Sequence, residues 1–69
     1  MTIQQIQSPT VKGRAIILCF DGREYATFSI HPNTSEIDLH QGHYYGENSL
    51  KAACGFINRI SLMINPSLN

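Results

Sequence analysis

At 69 residues, 42% of them hydrophobic and 14% charged, the chain is long enough for one small domain and too apolar to be intrinsically disordered. Five basic residues offset five acidic ones, and Lys12, Arg14, Arg23, Lys51 and Arg59 are scattered along the chain. Nucleic acid, which usually selects a basic surface, is therefore a poor first expectation.

A domain this small buries only about 60% of the surface its unfolded chain would expose. Such domains often gain stability from a disulfide, a metal or a partner chain. Residues 1–10 set Ile3 and Ile6 among glutamines and end at Ser8-Pro9, which reads as a flexible arm or an edge strand. They lack the basic flank and apolar stretch of a signal peptide, and the longest apolar run, residues 15–20, is too short to span a bilayer. A cytoplasmic chain with no membrane partner is expected. In a reducing compartment, Cys19 and Cys54 read as buried free thiols.

Residues 13–30 carry two runs of strong β preference around Asp21-Gly22. A two-residue type I′ loop there predicts a hairpin pairing Phe20 with Arg23, Leu18 with Tyr25 and Ile16 with Thr27. Cys19, Ile17 and Ala15 would then meet Glu24, Ala26 and Phe28 on the other side. Residues 31–35 (His-Pro-Asn-Thr-Ser) form a turn, and residues 36–40 alternate as a third strand with Ile37 and Leu39 on one face. Residues 41–46 read as a polar and aromatic connection with Gly42 and Gly46.

Asn48 or Ser49 is placed to cap a helix that runs to about residue 64 and is stopped by Pro66. On a helical wheel Leu50, Ala53, Cys54, Ile57, Ile60 and Ile64 form one apolar stripe, widened by Phe56 and Met63, with Lys51, Asn58 and Arg59 opposite. Gly55 weakens the helix by roughly 1 kcal/mol relative to Ala and sits near its polar face, where something else can approach the backbone closely. The expected fold is a single α+β domain over residues 1–69, a three- to four-stranded antiparallel meander with one C-terminal helix on one face.

The hairpin presents apolar residues on both sides. Ala15, Ile17, Cys19, Ala26, Phe28 and Ile30 form the side expected to receive the helix, matched by Ile37 and Leu39. The other side carries Ile16, Leu18, Phe20 and Tyr25, where a one-layer sheet should be polar. Burial of a Leu, Ile or Phe contributes about 1.5–3 kcal/mol, so something should cover these residues. A second copy of the chain is the first expectation, giving a homodimer with Ile16, Leu18, Phe20 and Tyr25 at its interface. The N-terminal segment with Ile3 and Ile6, or a foreign protein, are the alternatives.

Catalytic chemistry finds little support. His40 and His43 with Cys19 and Cys54 lack the spacing of a zinc site, so no metal or other cofactor is expected. A reactive thiolate needs an exposed, electropositive setting, and Glu36, Asp38 and Glu47 read as solvated residues. There is no Gly-rich phosphate loop. Tyr44 and Tyr45 in a Gly-flanked loop suit a recognition surface, unless one of them packs beneath the helix start.

A β-hairpin, a third strand and Glu-Asn-Ser-Leu-Lys-Ala-Ala opening a single C-terminal helix resemble small phage- and prophage-encoded proteins, among them anti-CRISPR inhibitors. The resemblance covers residues 15–64 in size and layout. It implies a protein, often dimeric, that blocks a bacterial host protein or complex such as a CRISPR effector. The expectation is thus a non-enzymatic protein-binding inhibitor or regulator whose His40, His43, Tyr44, Tyr45, Lys51, Asn58 and Arg59 face the target. The alternative is a small nucleic-acid-binding transcriptional regulator that aligns Lys12, Arg14 and Arg23 along one edge of a dimer.

Overall fold

The computed structural model describes residues 4–34 and 36–66, with the side chains of residues 36–41 outside the description. The expectations placed on Ile3 and on the side chains of Ile37, Leu39 and His40 therefore lie outside the described residues. The elements run β1 (Gln4–Gln7), β2 (Ala15–Phe20), β3 (Tyr25–His31), β4 (Glu36–Gly46) and α1 (Ser49–Ile64). The strands pair antiparallel in the order β1-β2-β3-β4, and α1 packs on the sheet, which is the expected α+β meander.

Gln4–Gln7 of the N-terminal segment form an edge strand, with Gln4 opposite Phe20 and Gln7 opposite Ile17. Ser8 carries the pairing one step further. Its N–H donates to the Ile16 carbonyl (2.9 Å), and its hydroxyl accepts the Ile16 N–H (2.9 Å), so the bond-poor Pro9 falls just outside the ladder. Val11 and Arg14 then exchange two backbone bonds around Lys12 and Gly13, whose φ values of 53° and 79° are those of a two-residue primed turn.

The loop between β2 and β3 differs from the expected one. Phe20 pairs with Tyr25, not Arg23, and four residues from Asp21 to Glu24 close the hairpin. The Asp21 carboxylate accepts the N–H groups of Arg23 (2.8 Å) and Glu24 (2.9 Å), and this local capture displaces the tighter turn. The longer loop also brings the Phe20 and Tyr25 rings to 4.4 Å. Register moves by two positions, so each side chain keeps its face: Ile16, Leu18 and Phe20 with Ser29, Thr27 and Tyr25, and Ala15, Ile17 and Cys19 with Ile30, Phe28 and Ala26.

Residues 41–46 are strand, not loop. β4 extends to Gly46, with register shifts opposite Tyr25/Ala26 and Thr27/Ser29. Tyrosine favours the pleated sheet, and alternation sends Tyr44 and Tyr45 to opposite faces.

The helix begins as expected, with the Asn48 side chain accepting the Lys51 N–H at 3.0 Å. It lies, however, on the face opposite to the expected one. Arg59 of α1 donates to the carbonyl and hydroxyl oxygens of Thr27, both at 3.0 Å. Leu62 and Met63 border Ile16 and Arg14. Thr27 and Ser29 are fully buried, and Arg14 donates to the Ser29 hydroxyl at 2.8 Å. The side facing the helix thus encloses two small polar residues beside Ile16, and a guanidinium on the helix satisfies Thr27.

The Asp21 carboxyl is held below its ordinary range by the N–H groups of Glu24 and Arg23. A carboxyl depressed by folding contributes stability that is present above its unfolded pKa and is lost as pH falls through the folded value. Asp21→Ala is expected to lower the urea midpoint near neutral pH, with the gap to wild type closing as pH falls through and below the ordinary aspartate range. A gap that stays constant from neutral to acidic pH contradicts this account of the turn.

Candidate protein-interaction surfaces

The helix side that meets the sheet runs through Ala52, Gly55, Phe56, Arg59 and Met63. Ala52 is fully buried, and the others are half-buried. The expected sheet-facing stripe lies about 135° further round, at 3.6 residues per turn. Three of its large members face water: Leu50, Ile57 and Ile64 are 74%, 62% and 61% exposed. Ala53 and Ile60 are half-buried, and Cys54 is exposed, which corrects the expectation of a buried thiol there.

Two contacts turn the helix this way. Arg59, expected on the outward polar side, points inward to Thr27. The Tyr45 hydroxyl lies where a Cβ on Gly55 would sit, and the ring carbon Cζ is 2.6 Å from that point. Glycine is the residue that admits this ring against the helix backbone. Tyr45 is therefore a packing residue beneath the helix, and Arg59 is not available to a target.

Tyr44 projects from the other face, 61% exposed, with its ring edge-on to Phe28 at a centroid distance of 5.8 Å. Phe28 and Ile30 beside it are half-buried, and Ile17 and Ala26 are buried. No described helix lies on this side. His43, Lys51 and Asn58 are exposed, His43 opposite Thr27 in β4 and the other two on the outward surface of α1. The residues expected to meet a target are thus divided among the sheet face, the helix and the interior.

The expected dimer residues are also separated. Ile16 is 3% exposed beneath α1 and cannot contact a second copy. Leu18, Phe20 and Tyr25 remain half-buried on the same face beyond the helix. With Ile6, itself 60% exposed opposite Leu18, they border a recess of about 120 Å³. Ile6 shelters that face only in part.

Cys19 is half-buried on the face away from α1, and burial pushes its thiol pKa up, which keeps it protonated and unreactive. Cys54 lies on the outward side of the helix, so the sheet and helix separate the two sulfurs. Among the described residues no three of His, Cys, Asp and Glu gather as metal ligands would. No described helix is long and apolar enough to cross a membrane. The fold and these surfaces define a small α+β domain with uncovered apolar side chains. Comparison with protein-family profiles, curated proteins and solved structures finds no match to any of them.

The signal for the exposed stripe is present in the sequence. Leu50, Ala53, Ile57, Ile60 and Ile64 repeat at intervals of three and four, the spacing of a seam that meets another helix.

The Tyr45–Gly55 contact is directly testable. Gly55→Ala is expected to destabilise the chain by about 1 kcal/mol, because overpacking outweighs the gain in helix propensity. In a Tyr45→Ala background the same change is expected to stabilise by a similar amount. Thermal melts of the four proteins read the sign reversal, and stabilisation in both backgrounds rejects the contact.

Proposed function

We propose that this chain is a non-enzymatic protein-binding module. The observation that carries the reading is the outward setting of Leu50, Ile57 and Ile64 on a 16-residue helix. Each would contribute about 1.5–3 kcal/mol on full burial, a large sum for a domain whose total stability is of the order of 5–15 kcal/mol. Apolar side chains left out at that cost are accounted for by a protein surface that covers them.

Tyr44 is the anchor expected to meet a target. It is exposed, and its contact with Phe28 limits the entropy lost on binding. As an inhibitor or regulator of a bacterial protein complex, the class its layout resembles, the chain would act by occluding a surface on that complex. The nucleic-acid alternative loses support from Arg14, one of its proposed contacts, whose guanidinium is bonded to Ser29 within the fold.

The reading is tested by capture from bacterial lysate with wild-type protein and Tyr44→Ala in parallel, each checked for fold by circular dichroism. A specific protein retained by wild type and bound about 30-fold more weakly by the variant is the expected result. Equal retention by both, or a salt-sensitive complex with duplex DNA in its place, overturns it.

A further inference from the structure

We infer that the outward stripe of α1 is a self-association seam, and that a second copy of this chain covers it, helix against helix. The inference rests on the protein-binding reading and names the occupant of one of its surfaces.

The first argument is spacing. Leu50, Ala53, Ile57, Ile60 and Ile64 occupy alternating a and d positions of a heptad, over about 21 Å of helix at 1.5 Å per residue. Side chains so spaced fit the holes of a surface with the same spacing, and an identical helix supplies one. Ile57 is the midpoint of the stripe, so a two-fold axis beside it engages the whole seam in both copies.

The second argument is charge. The seam and its flanking Cys54 and Ser61 carry no charged side chain. Two copies meet no like-charge repulsion there, and a target selected by charge has nothing on the seam to read.

The third argument is the core. The buried apolar core among the described residues is Ala15, Ile16, Ile17, Ala26 and Ala52, three of them alanine. So thin a core needs its missing layer whenever the chain is folded. A second copy is always present with the first, whereas a foreign target is met only on encounter.

Sedimentation velocity at about 100 µM is expected to give twice the 7.7-kDa chain mass, with a thermal midpoint that rises on concentration. Ile57→Glu, which sets two unpaired carboxylates against the seam, is expected to weaken association about a hundredfold or more. Asn33→Glu, a charge added in the exposed turn before β4, is expected to leave the dimer unchanged. The concentration dependence of the wild-type midpoint reads the association even where Ile57→Glu fails to fold. A monomer with a concentration-independent midpoint overturns the inference, as does a dimer that survives Ile57→Glu. If the dimer forms as expected and Tyr44→Ala leaves capture unaffected, target binding through Tyr44 fails while the seam stands. If the chain is monomeric and the Tyr44 effect is seen, only the seam fails.

Discussion

The hydrogen bonds from Arg59 to Thr27 decide which way this molecule faces. Thr27 and Ser29 are fully enclosed between sheet and helix, and a buried hydroxyl without a partner costs about 1–3 kcal/mol. Arg59 from α1 and Arg14 from just before β2 supply donors to them, and no described buried side-chain polar atom lacks a partner. Once Arg59 is committed inward, geometry fixes the rest of the helix. Met63 follows it one turn later and lines a recess with Ile16, Gly55 precedes it against Tyr45, and the Leu50–Ile57–Ile64 line is left toward water. The most hydrophobic side of α1 is thereby withheld from its own sheet.

This explains what the sequence made legible and what it concealed. Strand and helix identities followed from local chemistry: the apolar runs of β2 and β3, the Asn48 cap and the stop at Pro66. Face assignments within the hairpin survived a register error, because the error was an even number of residues. The error itself arose from Asp21. Its side chain bonds two N–H groups that a two-residue turn would have arranged otherwise, a competition that residue preferences alone do not rank. The two-residue primed turn occurs instead at Lys12-Gly13, where lysine takes a positive φ that its residue type does not favour.

The orientation of the helix was the deeper obstacle. A wheel counts apolar residues and assigns the richest side to the core, which holds when the chain folds alone and the facing sheet is apolar. Here the part of the sheet enclosed beneath the helix holds Thr27 and Ser29 beside Ile16, and the residue that satisfies Thr27 sits in the nominally polar sector of the wheel. An inward arginine is visible only once its acceptor is placed opposite it. The tyrosine pair posed a similar problem. As loop residues the two looked equivalent, but once β4 continues through residues 41–46 they separate, Tyr45 under the helix and Tyr44 into the open.

That separation bears on how self-association and target recognition would coexist. The helix seam and Tyr44 lie on opposite sides of the sheet, because Tyr44 shares the face of Phe28 while α1 covers the face of Thr27. Two copies joined through α1 would therefore turn their Tyr44 faces outward and away from each other. Pairing would remove no contact from the recognition side, and a dimer would present that side twice. Binding a target with two matching sites would then become partly intramolecular, and avidity would strengthen it without a new contact. A chain with one small aromatic anchor and a thin core thus has a physical route to tight binding: the helices supply stability, and symmetry multiplies a surface too small to hold a partner alone.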